Sequence, residues 1–328
     1  MFKLLYVLTS TEKDIYLEQT LISIFSARIY MPNINITLLT DDKTNNSLIR
    51  GRARIKDFVT EIIVTEVPEN LTSMQISRFL KTSMRMHVQG DFLYIDGDTV
   101  LCESLEEIAT FPSDIGMVLD SNSDHDIKHY FSRYKHKIYS YFKKNAGNLP
   151  QRYKFFNSGV IWCKDTEAGY KFFDEWHENW KKSYNHGIFV DQIALNLTNL
   201  DKDIVQELDG KYNCQIEHCA KYLSSAKILH YFATNSFFKY EPFATELAMQ
   251  LKANDFFVEN YREIIANPTK FFPTPSLIIA NSDLEIYKSE LGRLMKRIVK
   301  LFYKCKPLFT RLNDVFYLLR VTIRERNK

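Results

Sequence analysis

Glycine is scarce in this chain, with 10 in 328 residues, roughly 3% against a usual ~7%. The glycines fall at 51, 90, 97, 116, 147, 159, 169, 187, 210 and 292, and no two are separated by a single residue. No G-x-G-x-x-G turn is present, and no glycine stands at P-loop spacing ahead of a Gly-Lys pair, so both common glycine-rich phosphate cradles are excluded. The five cysteines (102, 163, 214, 219 and 305) form no C-x-x-C and are odd in number, as expected of a reduced, cytoplasmic protein. Cys214, His218 and Cys219 fit none of the usual zinc spacings and are better read as core cysteines. No run of eighteen uncharged apolar residues occurs, so no bilayer span is expected. The apolar start, Leu4 to Leu8, is too short for a signal-peptide core, and no leader is expected.

What the chain does have is an ordinary globular composition, 45% hydrophobic and 25% charged, with 24 Phe, 19 Tyr and 3 Trp. Its charge is uneven. Residues 284–328 hold twelve Lys/Arg against four Asp/Glu, a net +8, while the whole chain carries only +3. An acidic body therefore precedes a basic tail.

Apolar runs at 3–9, 35–40, 61–65, 92–95 and 115–119 read as strands. Helical spacing marks 14–30 and about 73–88 between them. Such alternation predicts an α/β fold, Rossmann-like, with a mainly parallel sheet flanked by helices. Ligands then sit beyond the carboxyl ends of the strands, where Ser10, Asp41, Asp42, Asp96, Asp98 and Asp120 fall. Residues 263–283 contain three prolines and read as a linker between a catalytic domain (1–262) and a helical tail (284–328).

The sharpest chemical signal is FLYIDGDTVL, with Asp96 and Asp98 just past an apolar strand. Two carboxylates at this spacing suit a hard divalent ion such as Mn²⁺ or Mg²⁺, with phosphates completing the coordination. A solvated Asp-Gly turn is the plainer alternative. Asp96-Gly-Asp-Thr-Val also fits the nucleophile motif of haloacid-dehalogenase-like phosphatases. Three strand-like segments precede it, however, and no later G-D-x-x-x-D follows.

The order of motifs resembles nucleotide-sugar glycosyltransferases of the A-type fold, most closely glycosyltransferase family eight. Four segments over about residues 1–240 carry the resemblance: Ser77-Arg78-Phe79-Leu80-Lys81 leading to the D-x-D strand, Phe156-Asn157-Ser158-Gly159-Val160, Asp191-Gln192-x-x-x-Asn196, and Leu229-His230-Tyr231-Phe232. The family's usual Gly and Lys-Pro-Trp after the histidine are missing, and Lys239 is the cation nearest to the place of that lysine. The resemblance implies Asp96, Asp98 and His230 as metal ligands. It implies Thr9, Ser10 and Asp41 at the nucleoside, and Arg78, Lys81, Gly97, Asn157 and Lys239 around the donor. Asp191 and Gln192 would read the sugar, with Gln192 beneath the anomeric carbon, and Asp120 would contact the acceptor.

The activity implied is metal-dependent transfer of a hexose from a UDP-sugar to a saccharide or lipid-linked glycan, with retention. An amide is no general base, so an inverting route would need a carboxylate such as Asp191 or Asp120. A non-catalytic nucleotide-sugar-binding relative is the alternative of another class. For Arg78 and Lys81 the alternative is a solvated basic face, and for His230 a satisfied core histidine. The aromatics Tyr130, Phe131, Tyr134, Tyr139, Tyr141, Phe142 and Tyr153 read either as core or as an acceptor groove.

In the tail, Leu284, Tyr287, Leu291, Leu294, Met295, Ile298 and Phe302 share one helical face, with basic residues largely beside it. A second such stripe follows Pro307. Basic amphipathic helices bind anionic membrane surfaces, so a peripheral place on the inner face of the cell membrane is expected; packing on the protein is the alternative. No nucleic-acid partner is expected.

Overall fold

The computed structural model describes residues 2–123, 136–147, 153–200, 202–216, 221–231 and 247–268, with 291, 292, 294, 295, 297 and 298 beyond them. By compactness the chain divides into Met1–Pro273 and Thr274–Lys328. The first unit runs past the expected boundary at 262, because a short helix, Arg262–Ala266, packs with Ile265 fully buried. Tyr30 donates to the Ala266 carbonyl at 2.7 Å. The three prolines of 263–283 lie downstream of this helix.

The main sheet has seven strands in the order β3-β2-β1-β4-β7-β6-β8. They are β1 (Lys3–Leu8), β2 (Asn35–Asp41), β3 (Glu61–Thr65), β4 (Phe92–Ile95), β6 (Ile115–Leu119), β7 (Phe156–Cys163) and β8 (Val205–Glu207). All pairings are parallel except those of β7, which runs antiparallel to both β4 and β6. Strands β4, β6 and β7 are buried along their whole length, because a sheet covered on both faces needs apolar side chains on both. The expected α/β sheet is therefore present, with one reversed strand, β7, between β4 and β6.

One face is covered by the helix Ser73–His87 and the helix Glu167–Asn185. Ile76, Leu80 and Met84 pack there with Phe172, Phe173, Trp176 and Trp180 against Leu5, Tyr94 and Ile161 of the strands. The first of these helices starts at a capping box: Thr72 accepts from the Gln75 N–H and Gln75 accepts from the Thr72 N–H, satisfying two end donors reciprocally.

A second, three-stranded sheet joins β5 (Thr99–Leu101), β10 (Ile228–His230) and β9 (Cys214–Gln215), with β10 in the middle. These two- and three-residue strands are too short to show a period in sequence, which is why none was expected. Helix α1 (Tyr16–Tyr30) is buried from Leu17 to Ala27, so its polar residues need internal partners. Ser23 Oγ lies 3.1 Å from Tyr6 Oη and 2.9 Å from Thr99 Oγ1, while Ser26 Oγ accepts from the Leu101 N–H at 2.9 Å. Those bonds tie the small sheet to the large one at the point where the carboxylate pair stands.

Candidate active site

Asp96 and Asp98 occupy the link between β4 and β5. β4 is fixed to β7 by the pairing of Ile95 with Val160, and the Asp96 N–H donates to the Gly159 carbonyl at 2.8 Å. Thr99 Oγ1 closes the turn by donating to the Asp96 carbonyl at 2.8 Å. β5 then enters the small sheet, where Thr99 pairs with His230 and the Tyr231 N–H donates to the Asp98 carbonyl at 3.0 Å. A histidine distant in sequence is thus set against the two carboxylates.

One ligating atom from each of Asp96, Asp98 and His230 lies within 4.8 Å of the others. His230 Nε2 is 3.2 Å from Asp98 Oδ1 and 3.9 Å from Asp96 Oδ2. His230 is buried, as its alternative reading as a core residue would also have it, but its ring edge opens onto carboxylates rather than onto apolar packing. Burial alone would raise the Asp98 pKa; the His230 ring and a backbone N–H outweigh it and hold the carboxyl below its usual value. Asp96 Oδ1 accepts from Tyr94 Oη and from Lys81 Nζ, which leaves Oδ2 turned toward His230. For Tyr94, burial and the Asp96 carboxylate together push the phenol pKa far up, so it stays a donor.

These residues line a cleft of about 320 Å³ that also takes in Arg78, Asn157, Asp191 and Gln192, within the range of small-ligand sites. Arg78 Nε is 3.0 Å from Asp191 Oδ1. Lys81 Nζ bridges Asp96 Oδ1 (2.9 Å) and Asp191 Oδ2 (3.6 Å), with its side chain only 3% exposed. The reading of Arg78 and Lys81 as a solvated basic face therefore fails. Burial would raise the Asp191 pKa, but Arg78, Lys81 and the Ser158 hydroxyl, which donates to Oδ2 at 2.8 Å, bring it down to about 2. Asp191 is a permanent carboxylate at neutral pH.

The helix Asp191–Asn199 is aimed by Asn196, whose side chain mimics a strand partner: its Oδ1 accepts from the Phe156 N–H at 2.8 Å and its Nδ2 donates to the Phe156 carbonyl at 3.1 Å. The D-Q-x-x-x-N spacing is thereby explained. The asparagine clamps the helix to β7 so that its first turn, carrying Asp191 and Gln192, meets the Ser158–Gly159 stretch.

Three expected site residues stand elsewhere. Thr9 and Ser10 follow β1, where Ser10 Oγ donates to Asp14 Oδ1 (2.7 Å) and accepts from Arg52 (3.2 Å). Asp41 caps the short helix Asp42–Asn46, accepting from Thr44 Oγ1 at 2.5 Å and the Thr44 N–H at 3.4 Å. Gly97 is needed for space, since a Cβ there would lie 2.3 Å from Thr20 Oγ1. Asp120 follows β6 and accepts from Asn157 Nδ2 at 3.1 Å. Of the aromatic group, Phe142 packs with Phe155 and Ile193, and Tyr139, Tyr141 and Tyr153 pack against that cluster, which is core behaviour. Lys239, Tyr130, Phe131, Tyr134, His218 and Cys219 lie outside the described residues.

Sequence reasoning passed over Tyr94, Ser158, Gly159 and Asn213 as functional residues. Gly159 carried a signal, as the one glycine of its strand. A Cβ at 159 would lie 2.3 Å from His230 Cε1, so only glycine lets the ring approach. For Asn213 no signal existed.

The crystal structure of the galactosyltransferase LgtC, in complex with donor and acceptor sugar analogues, matches this chain with a TM-score of 0.50 at 16% identity. The match covers 80% of this chain and 99% of that one. This chain has the A-type glycosyltransferase fold. Two further structures are similar over much of that fold. Apo mouse xyloside xylosyltransferase 1 gives a TM-score of 0.48 at 14% identity, over 72% of this chain and 99% of that chain. The glycosyltransferase GlyE of Streptococcus pneumoniae TIGR4 gives 0.49 at 16%, over 79% and 65%. No protein-family model and no curated protein matches the sequence. A phosphatase of the haloacid-dehalogenase type is not compatible with this fold.

Proposed function

We propose that this protein is a metal-dependent glycosyltransferase that moves a hexose from a UDP-sugar to a saccharide or lipid-linked glycan with retention of configuration. The observation that carries the reading is the convergence of Asp96, Asp98 and His230 on a cleft also lined by Arg78, Lys81, Asp191 and Gln192. Two carboxylates and an imidazole nitrogen form a donor set that suits Mn²⁺, and better than Mg²⁺, which favours oxygen ligands alone. The charge balance agrees. Asp96, Asp98 and Asp191 bring three negative charges and Arg78 and Lys81 two positive ones, so the pocket is left at −1 and accommodates a divalent cation together with a diphosphate.

A sugar diphosphate departs as an anion, and stabilising that charge is the main catalytic demand. The ion, held by Asp96, Asp98 and His230, would supply positive charge at the leaving phosphates. Lys81 and Arg78 add fixed cations on the same side. Asp191, ionised and aligned by Arg78, accepts hydrogen bonds from donor sugar hydroxyls. The Gln192 amide has no basic site, so the acceptor's hydroxyl proton goes to the departing phosphate oxygen. The C1–O bond to phosphate breaks and the acceptor oxygen bonds C1 on the same face, which retains configuration.

Mn²⁺-dependent turnover of UDP-hexoses by the purified protein tests this, with Asp98→Ala as control. We expect turnover and Mn²⁺-dependent UDP binding in the wild type, and neither in the variant at an unchanged Tm. Retained turnover in the variant would overturn the metal assignment. The lipid-linked acceptor is supported by the tail, where Leu291, Leu294, Met295 and Ile298 are exposed beside a net charge of +8 over residues 284–328. Among the described residues no helix is long and apolar enough to cross a membrane.

A further inference from the structure

Four buried side chains form a single hydrogen-bonded line from the end of β6 to the metal site. Asn157 Nδ2 donates to Asp120 Oδ1 at 3.1 Å. Asn157 Oδ1 accepts from the Gly159 N–H and from Asn213 Nδ2, both at 2.9 Å. Asn213 Oδ1 lies 2.9 Å from His230 Nδ1. Asn213 and Gln215 are themselves locked to the turn after β6. Asn122 Nδ2 donates to the Asn213 carbonyl at 2.8 Å, the Gln215 N–H donates to Asn122 Oδ1 at 2.8 Å, and the Ser121 N–H donates to Gln215 Oε1 at 2.6 Å. Ser121 and Asn122 both adopt left-handed backbone, with φ of 60° and 50°, a conformation that such clamping must sustain.

The direction of every donor in this line follows from its ends. An ionised Asp120 only accepts, so the amide NH₂ of Asn157 must face it. Asn157 Oδ1 then faces the Gly159 N–H, which fits, and can only accept from its other neighbour. The NH₂ of Asn213 must therefore face Asn157, and Asn213 Oδ1 must face His230. Nδ1 is then held protonated by Asn213 Oδ1, so in the neutral imidazole, the form that can ligate, the lone pair lies on Nε2, the nitrogen turned toward Asp98 and Asp96. A histidine ligand needs this arrangement, and the partner of its other nitrogen commonly fixes it.

We infer that Asn213 is a positioning residue that selects the His230 tautomer and so sets the affinity of the site for its divalent ion, with Asn157 and Asp120 fixing the direction of the Asn213 amide. The inference deepens the metal-dependent reading, yet part of it stands without metal, because the tautomer belongs to the metal-free protein.

Two measurements separate the cases. Long-range ¹H–¹⁵N correlation of the metal-free protein, with the His230 signals assigned by their loss in His230→Gln, reads which nitrogen carries the proton. We expect Nδ1–H in the wild type and loss of that pattern in Asn213→Ala. Mn²⁺ titration followed by electron paramagnetic resonance should give a Kd about 10–100-fold weaker for Asn213→Ala. A wild-type His230 whose neutral form carries its proton on Nε2 overturns the inference, and this reading needs no variant to fold. An Asn213→Ala protein with wild-type tautomer and Mn²⁺ affinity overturns it too. Wild-type protein that shows Nδ1–H but does not bind Mn²⁺ refutes the metal reading, and with it the affinity half of the inference.

Discussion

Gly159→Ala is a test that the geometry makes unusually sharp. A Cβ at 159 would sit 2.3 Å from His230 Cε1, 2.8 Å from His230 Nδ1 and 2.9 Å from Asn157 Oδ1. Carbon atoms in contact rest about 3.5–4.0 Å apart, so the ring must retreat by roughly 1 Å. Under the proposed metal reading it could not serve as a ligand after such a move, because metal–ligand distances tolerate only about 0.2 Å. Overpacking of a buried site by one methyl costs about 1–3 kcal/mol, a shift of only a few degrees in Tm for a chain of this size. The expected signature is therefore asymmetric: a small loss of stability with a large loss of Mn²⁺ affinity, similar to that of His230→Ala. Calorimetric Mn²⁺ titration beside thermal melts would read both. If displacement of His230 is the cause, adding Gly159→Ala to His230→Ala costs nothing further in affinity, since the two act on one contact. Wild-type Mn²⁺ affinity in Gly159→Ala, or additive losses in the double variant, would refute the reasoning.

Three other outcomes are expected. Gln192→Ala should lower turnover severely without abolishing it, and the anomeric proton signal of the product from an α-linked donor should remain α; a β product ends the retaining route. His177 is buried with Nδ1 2.8 Å from Thr82 Oγ1, and burial together with Lys181 lowers its pKa from 6.5 to about 4. Its contribution to stability is present above pH 6.5 and drains away as pH falls toward 4, because the unfolded chain takes the proton first. His177→Phe should accordingly flatten the fall of Tm between those two pH values, and an unchanged slope would exclude this histidine. Truncation after Asp283 should leave turnover on soluble acceptors but abolish sedimentation with anionic liposomes at low salt; full-length protein that stays in the supernatant would leave the tail no membrane role.

Five strands of the main sheet and two of its helices were legible because burial on two sheet faces writes itself as apolar runs. KLLYVL, FLYI and IGMVL lie where those runs begin and end. The carboxylate pair was legible for a similar reason, standing in the first polar turn after such a run. What sequence could not supply was the pairing that brings His230 to Asp98. It depends on β5, β9 and β10, of three, two and three residues, each far below the length at which a period can be counted. The resemblance to a known family named His230 without saying how it arrives. Asn213 was hidden more completely, since an asparagine after a tyrosine has no pattern of its own. Its meaning comes only from the three side chains that orient its amide. Asp41, expected at the nucleoside from its place at a strand end, also has a structural task that sequence did not announce, as the cap of the helix that follows.

Under the proposed metal reading, the charges around the cleft also bear on what an ion would do. Three carboxylates brought this close would repel one another and open the site if they stood alone. Asp191, however, is held by Arg78 at 3.0 Å, and Lys81 spans Asp191 and Asp96, while Tyr94 and Ser158 donate to the same two carboxylates. Only Asp98 among the three lacks a cation of the Lys/Arg type at salt-bridge distance among the described residues; its recorded partner is His230. The protein has therefore neutralised the carboxylates that shape the pocket and left one charge in excess at the place where the metal would enter. Under the proposed reading, a site built this way needs no ion to fold, and an ion would add the positive charge that a leaving diphosphate requires. Asp98→Ala removes that excess charge and none of the structural pairs, which is why loss of activity without loss of fold is the outcome to expect there.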